Sequence, residues 1–401
     1  MNILEAKNEI INTVHAYLLK NDNGGYAIPS IRQRPILLIG PPGVGKTQIM
    51  EQIADECNIG LVSYTITHHT RQSAVGLPMI SEEEYEGKTY SVTEYTMSEI
   101  IAGVYNCIKY EGKREGILFI DEINCVSETL VPMMLQFLQC KTFGNQKLPE
   151  GWIIVAAGNP HEYNRSVREF DMVTLDRVRK ITVEADLAVW KRYAIERHIH
   201  GSIISYFDIR PKNFYHIASD VDGLSFVTAR GWEDMSNLIY IYEKLGIDIT
   251  YDTIHEFLQD IEIARDFTVY YDLYNKYKDD YRVSDILDGK ADSSVYQRAM
   301  KAGFDEKMSL VNLLLDGITT LIDNNSDDKS IAVKIDNAFS FAEDAMDSSQ
   351  ILVLVTGLSM NGKTSEYLIS NTSAKFVQYS TTLMQGEQRA ALLEEISAFN
   401  I

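Results

Sequence analysis

An eight-residue stretch near the N-terminus has the glycines, lysine and threonine that could hold a polyphosphate. It reads Gly40-Pro41-Pro42-Gly43-Val44-Gly45-Lys46-Thr47. The apolar run Ile36–Ile39 precedes it, and a helical pattern that stops near Gly60 follows. Glycines let backbone N–H groups converge on phosphate oxygens, and the start of a helix adds positive potential. We expect all eight residues to bind a nucleoside triphosphate, with Lys46 reaching the β- and γ-phosphates and Thr47 ligating Mg²⁺.

Two acids end the apolar run Ile117–Ile120: Asp121 and Glu122. Carboxylates are costly where a buried strand leaves a sheet, unless they have a function. Asp121 is therefore predicted to join Thr47 in holding Mg²⁺, and Glu122 to polarise an attacking water. A helix N-cap pair is the alternative interpretation, but the phosphate loop favours a site that hydrolyses ATP.

An amide follows the next apolar run, because Trp152–Ala157 leads into Gly158-Asn159-Pro160. Asn159 could hold the water or the γ-phosphate, whereas a simple Asn-Pro turn is the alternative. Open α/β sheets bind ligands at the carboxyl ends of their strands. The position of Asn159 therefore favours the binding role.

A second stretch, Gly357–Thr364, matches the same glycine-lysine-threonine spacing and follows the apolar run Ile351–Val355. The chain that remains, residues 365–401, is too short to supply further strands, an acidic strand end and a residue that orients water. We expect a turn between a strand and a helix, and a chance match to the motif.

Short apolar runs alternate with helical patterns in the first half of the chain. We predict five strands: Ile36–Ile39, Leu61–Ile66, Ile117–Ile120, Trp152–Ala157 and Arg179–Val183. The alternation predicts an α/β P-loop fold with a parallel five-stranded sheet, followed by a helical lid and a mainly helical C-terminal extension. The predicted domains are 1–185, 186–265 and 266–401. The segment Thr67–Gly112 is expected to decorate the sheet.

Three of these features, together with one further tripeptide, resemble the MoxR family of AAA+ ATPases, over roughly residues 1–245. They are Gly40–Thr47, Ile117–Asn124, Gly158-Asn159-Pro160 and Leu175-Asp176-Arg177. The stretch Thr67–Pro78 lies where that family, like the related magnesium-chelatase ATPases, carries its insert in the second helix.

The resemblance also implies roles and partners. It implies that Asn159 is sensor 1, that Arg177 is the arginine finger reaching a neighbour's nucleotide, and that Arg230 is sensor 2. Arg179 competes with Arg177 for the finger role, and the Leu-Asp-Arg context favours Arg177. A homo-oligomeric ring, a hexamer in the family, would then act in a chaperone-like way on a protein client, such as one with a von Willebrand factor A domain.

Composition narrows the functional classes. The chain has 57 acidic and 37 basic residues and a net charge of −20, which disfavours a motor acting on nucleic acid. Its four cysteines lack a CxxC pair and are predicted to be reduced thiols rather than metal ligands. Because no apolar run approaches the ~20 residues of a membrane span, a cytoplasmic protein is expected. A nucleotide-gated scaffold with little turnover remains an alternative to a working ATPase.

Overall fold

The computed structural model describes residues 1–68, 76–126, 130–143, 146–163, 170–220, 223–324 and 329–382. The chain divides into two compact units, Met1–Asp186 and Leu187–Ile401.

The first unit alternates strands and helices. Its strands are β1 (Ile36–Ile39), β2 (Gly60–Thr65), β3 (Pro78–Tyr85), β4 (Lys88–Tyr95), β5 (Gly116–Asp121), β6 (Thr142–Phe143), β7 (Gln146–Lys147), β8 (Trp152–Gly158) and β9 (Arg179–Thr182). Its helices are α1 (Ile3–Leu18), α2 (Gln48–Glu56), α3 (Glu99–Asn106), α4 (Val131–Cys140) and α5 (Met172–Leu175).

Five of these strands form one parallel sheet in the order β2-β5-β8-β1-β9. The five predicted strands and the predicted α/β fold class are therefore confirmed. In the register, Thr65 pairs with Asp121, and Ile39 pairs with Gly158. The carboxyl ends of the four strands β2, β5, β8 and β1 thus meet at one edge of the sheet.

Helices cover both faces of this sheet, because its side chains alternate between two buried cores. Leu118 and Ile120 of β5 pack into the cluster that contains the apolar residues of α3 and α4. Ile117 and Phe119 pack into the cluster formed with α1 and α2. Both faces of β5 are apolar, as expected for a parallel strand that is covered on both sides.

The prediction that the segment Thr67–Gly112 only decorates the sheet is wrong in part. Its second part contains α3, whose Ile100, Ile101 and Val104 are fully buried against the sheet. Parallel neighbours such as β2 and β5 need a crossover connection, which is usually helical, and α3 supplies it. The first part contains the antiparallel hairpin of β3 and β4, which is largely exposed. Residues 69–75, at the start of the expected insert, lie outside the described residues.

The second unit is mainly helical, as predicted. Its helices are α6 (Leu187–Glu196), α7 (Gly201–Ile209), α8 (Ala229–Leu245), α9 (Tyr251–Phe257), α10 (Ile261–Tyr281), α11 (Val283–Leu287), α12 (Ser293–Lys301), α13 (Phe304–Asn324), α14 (Ser330–Ala345), α15 (Ser348–Met360) and α16 (Gly362–Ser370). An antiparallel pair, β10 (His216–Asp220) and β11 (Gly223–Val227), lies between α7 and α8 in the sequence. The predicted boundary at 265/266 falls within α10, and the division of this unit into lid and extension stays a prediction.

A sixth strand, expected before the second glycine-lysine-threonine stretch, is wrong. The run Ile351–Val355 lies inside α15, where Leu354, Val355 and Leu358 are buried against neighbouring helices. A short apolar run has no period that distinguishes a buried strand from a buried helix, and here the helical partners decide. Within the described ranges, every helix is too short or too polar to span a lipid bilayer.

Candidate functional site

Four neighbouring strands each deliver a polar side chain to the same edge of the sheet. Lys46 follows β1, Asn159 follows β8, Asp121 ends β5 and Thr67 follows β2. Hydrogen bonds connect the loops that carry these positions. Thr67 bonds to Glu122, and Thr47 bonds to Asp121. Asn159 bonds to both Lys46 and Asn124, so the loops form one connected site.

The loop of residues 40–47 joins β1 directly to α2. Gly43 and Gly45 have φ angles of 73° and 91°, a region that suits glycine and strains other residues. The N–H of Ile49 donates to the Gly45 carbonyl at 3.1 Å, which ties the loop to the first turn of the helix. The N-terminus of α2 therefore opens onto the loop, as required for binding an anion.

The Lys46 side chain lies inside this loop, and the residue is only 8% exposed. Its Nζ donates to the carbonyls of Gly40 and Pro41 at 2.7 and 2.8 Å, and to Asn159 Oδ1 at 2.9 Å. These bonds hold a positive charge between the loop and the end of β8. Phosphate oxygens can replace such acceptors, so this placement suits a polyphosphate ligand.

Thr47 and Asp121 meet at the mouth of the loop. Thr47 Oγ1 donates to Asp121 Oδ2 at 2.8 Å, and Asp121 Oδ1 accepts the N–H of Glu122 at 2.9 Å. Burial raises the pKa of the nearby Cys125 thiol, and the Glu122 and Asp121 carboxylates raise it further, as expected in a negative potential. A hydroxyl and a carboxylate in contact are oxygen donors of the kind that Mg²⁺ takes alongside substrate phosphates, so the residues fit the predicted ion.

Glu122 lies beyond the strand end in an unusual backbone conformation, with a φ of 56°. Non-glycine residues in this region are uncommon and are enriched at functional sites. Its carboxylate accepts a hydrogen bond from Thr67 Oγ1 at 2.6 Å, across from β5 to the end of β2. The next described helix begins at Val131, so Glu122 is not an N-cap residue of that helix.

Sequence reasoning missed two contributors to this edge, Thr67 and Asn124. Thr67 binds Glu122, and Asn124 Nδ2 donates to the Asn159 carbonyl at 2.7 Å. The signal for both was their position just past a strand end. That signal becomes useful only when the strand order β2-β5-β8 is known, because only then do the partners become neighbours.

The two candidate finger arginines have different surroundings. Arg179 donates to Thr13 Oγ1 at 2.6 Å and forms an ion pair with Glu9, so α1 of the same chain holds its guanidinium. Arg177 is exposed, just after α5. A hydrogen bond from Thr174 lowers the pKa of Asp171, the N-cap of α5, and the charge of Arg177 contributes to that shift.

Arg230 belongs to the second unit. It is exposed in the first turn of α8, beside the N-cap Thr228, whose side chain accepts the N–H of Gly231. The residues that are bonded to one another at the sheet edge, here called the bonded set, all belong to the first unit. They are Lys46, Thr47, Thr67, Asp121, Glu122, Asn124 and Asn159.

The second motif match has a different structure. Its Gly357 lies within α15, where an added Cβ would be 2.6 Å from a methyl carbon of Leu315. Lys363 forms an ion pair with Asp323 at 2.7 Å, and Thr364 is fully buried. Asn361 caps α16 by accepting the N–H of Thr364 at 3.0 Å. The predicted turn thus joins two helices rather than a strand and a helix.

The bonded set at the sheet edge has the groups that phosphoryl transfer to water requires. Lys46 supplies a cation inside the loop, and the oxygens of Thr47 and Asp121 suit a divalent ion. The Glu122 carboxylate and the Asn159 amide lie beside them.

Comparison with known proteins agrees with this geometry. Residues 36–176 match the family model AAA, described as the ATPase family associated with various cellular activities. No curated protein matches the chain. The matched segment begins with β1 and includes the loop, the two acids and Asn159. The matched residues supply four strands of the parallel sheet, and β9 follows directly after them. The family match and this sheet together identify an AAA ATPase domain around residues 36–176.

Proposed function

We propose that the chain is a MoxR-like AAA+ ATPase that hydrolyses ATP in a homo-oligomeric ring and uses the energy to remodel or mature a protein partner. One observation supports hydrolysis above all. The acidic end of β5 is bonded to the phosphate loop through Thr47 and Asp121, with Glu122 immediately beside them.

Lys46 would exchange its bonds to loop carbonyls for the β- and γ-phosphates, while the backbone N–H groups of residues 43–47 surround the polyphosphate. Thr47 and Asp121 would hold Mg²⁺, which neutralises part of the phosphate charge when it is bound. Asn159 already contacts Lys46 and would extend its amide to the γ-phosphate or to the water.

Glu122 would act as the general base. A water oxygen bonds to the γ-phosphorus while the bond from that phosphorus to the bridging oxygen of ADP breaks. The Glu122 carboxylate accepts the proton that the water loses. The Thr67 hydroxyl orients this carboxylate from the neighbouring strand.

Arg177 would complete the site of a neighbouring copy, which is why we propose a ring, a hexamer by resemblance to the MoxR family. An arginine that stabilises the transition-state charge must be free to leave its own surface. Arg179 is held by Glu9 and Thr13, whereas Arg177 is exposed, so this difference favours Arg177 as the finger. Arg230 would act as sensor 2 from α8.

The partner would be a protein, and the family resemblance suggests one that carries a von Willebrand factor A domain. The net charge of −20 opposes binding to nucleic acid. A nucleotide-gated scaffold would use the same loop but would not need a base at the position of Glu122.

Replacing Glu122 by Gln tests the proposal. The variant should bind ATP with nearly wild-type affinity and release phosphate at least about 100-fold more slowly, since a positioned base contributes roughly 10²- to 10⁴-fold. Glu366→Gln is the matched control, because it removes the same charge from an exposed residue of α16, in the second unit.

Equal phosphate release by Glu122→Gln and wild type would refute the assignment of the base. Tight ATP binding by wild type without phosphate release would favour the scaffold. A DNA affinity that falls steeply with salt would favour the nucleic-acid motor. Capture of a protein client by the ATP-bound Glu122→Gln variant would support the remodelling role.

A further inference from the structure

Asn124 is a buried polar residue next to the proposed hydrolytic site that the mechanism so far leaves without a role. It lies three residues after Asp121 and is only 5% exposed. The N–H of the preceding Ile123 donates to the Ala157 carbonyl at 2.9 Å, which holds this turn against β8. The backbone therefore fixes where the Asn124 side chain begins.

The Asn124 amide holds the main chain of the residue that contacts Lys46. Its Nδ2 donates to the Asn159 carbonyl at 2.7 Å, while Asn159 Oδ1 accepts from Lys46 Nζ at 2.9 Å. Residue 159 is thus fixed at both its main chain and its side chain. The first bond ties it to the strand that carries the two acids, and the second ties it to the phosphate loop.

Gly158 makes this contact sterically possible. A Cβ built on Gly158 would lie 2.3 Å from Asn124 Oδ1 and 2.7 Å from its Cγ, distances that real Cβ atoms do not show. The φ angle of Gly158 is outside the left-handed region, so an alanine would be compatible with the backbone there. The space that Asn124 occupies is what requires a glycine at position 158.

The oxygen of the Asn124 amide, unlike its nitrogen, makes no hydrogen bond to the described residues. Asn124 Oδ1 is buried and has no hydrogen-bond partner there. Asn124 lines a cavity of about 230 Å³ whose other lining residues are mostly apolar, apart from Asp171 and Thr174. Buried unpaired polar atoms are rare because they lose their water without compensation. The unpaired oxygen opposes stability, so the reason for an asparagine at this position is expected in the bond that its Nδ2 makes to Asn159.

We propose that Asn124 is a positioning residue for ATP hydrolysis, which fixes Asn159 so that its side-chain amide meets the γ-phosphate beside Lys46. This inference rests on the proposed function. It predicts a specific defect. Without Asn124, the loop and Lys46 still bind the nucleotide, but Asn159 no longer distinguishes a triphosphate from a diphosphate.

A cycle of three variants of the full chain tests the proposal: Asn124→Ala, Gly158→Ala and the double variant. Asn124→Ala should lower kcat by about tenfold, since one hydrogen bond is at stake, and should reduce the preference for ATP over ADP. Its affinity for ADP should stay within about twofold of wild type. Gly158→Ala should give the same defects, because its Cβ displaces the Asn124 side chain.

The double variant should be no worse than Asn124→Ala, because the shorter side chain at position 124 leaves room for the new Cβ. Asn312→Ala is the matched control. Asn312 is also buried and donates from Nδ2 to a backbone carbonyl, that of Met308 at 3.0 Å, but it lies in the second unit. The control substitution should lower the melting temperature and leave the ATP-to-ADP preference unchanged.

An Asn124→Ala variant that loses thermal stability yet keeps both kcat and the ATP-to-ADP preference would overturn the inference, since a purely structural role predicts that result. Independent, additive effects of Asn124→Ala and Gly158→Ala would overturn it as well. If wild type releases no phosphate, the proposed ATPase fails separately. The ATP-to-ADP preference would still report whether Asn124 positions Asn159.

Discussion

Two segments of this chain share the same spacing of glycine, lysine and threonine but fold differently. Residues 40–47 follow β1 and form an open loop before α2, with positive φ angles at two glycines. Residues 357–364 form the end of α15 and the start of α16. In the first segment the lysine lies inside the loop, and in the second Lys363 pairs with Asp323 at the surface.

The surroundings explain the difference. Around the first segment, adjacent parallel strands bring Asn159 and Asp121 within hydrogen-bond distance of Lys46 and Thr47. Around the second, the partners are apolar helices, and Asn361 uses its side chain to cap α16. The motif is therefore informative only where strand ends supply the acids and the amide that phosphoryl transfer requires.

The largest predicted effect is that of replacing Arg177, which would complete the nucleotide site around residues 40–47 of a neighbouring copy. Arg177→Ala should lower kcat by roughly 10³- to 10⁵-fold, the usual contribution of an arginine finger. Phosphate release at saturating ATP measures it. Mixing Arg177→Ala with Lys46→Ala chains should restore part of the activity, because each supplies what the other lacks. Mixtures no more active than either variant alone would argue against a shared site.

The two lysines provide the most direct contrast between the segments. Lys46→Ala should reduce turnover by about 10²- to 10³-fold, the usual cost of losing one donor to the transition-state charge. Lys363→Ala should leave turnover unchanged, because it breaks only an exposed ion pair with Asp323. A steady-state phosphate assay compares them, and a large loss in Lys363→Ala would mean that the second segment takes part.

Variants of Thr67 test whether the residue after β2, the strand next to the two acids, contributes to hydrolysis at the site around residues 40–47. Thr67→Val removes the hydroxyl that donates to Glu122, and kcat should fall by about tenfold with little change in ATP affinity. Thr67→Ser keeps the hydroxyl and should remain close to wild type. The orientation of Glu122 would not depend on this bond if the valine variant were as fast as the serine variant.

Replacing the threonine at the end of each motif by valine should have different, smaller effects on the free energy of unfolding. Thr364 Oγ1 is buried without a hydrogen-bond partner among the described residues, so Thr364→Val should raise the free energy of unfolding by about 1 kcal/mol. Thr47→Val should not stabilise the protein, because it breaks the bond to Asp121. Denaturant unfolding measures both, and a destabilised Thr364→Val would argue for a hidden partner of this hydroxyl.

Much of the fold and the site could be predicted from the sequence because local patterns encode them. Apolar runs predicted the five strands, and the loop, the two acids and Asn159 each mark the end of one of them. Fixed spacings predicted the candidate residues. The prediction for the run Ile351–Val355 was wrong because a short buried run has no distinguishing period. Thr67 and Asn124 could not be found, because their partners become neighbours only through the strand order.

The number of nucleotides bound per chain tests the central claim most directly. Equilibrium binding of ATP with Mg²⁺ to the Glu122→Gln variant avoids turnover and counts sites. We predict one ATP per chain, lost when Lys46→Ala is added and kept when Lys363→Ala is added. Two ATP molecules per chain, or binding that survives Lys46→Ala but not Lys363→Ala, would contradict this account.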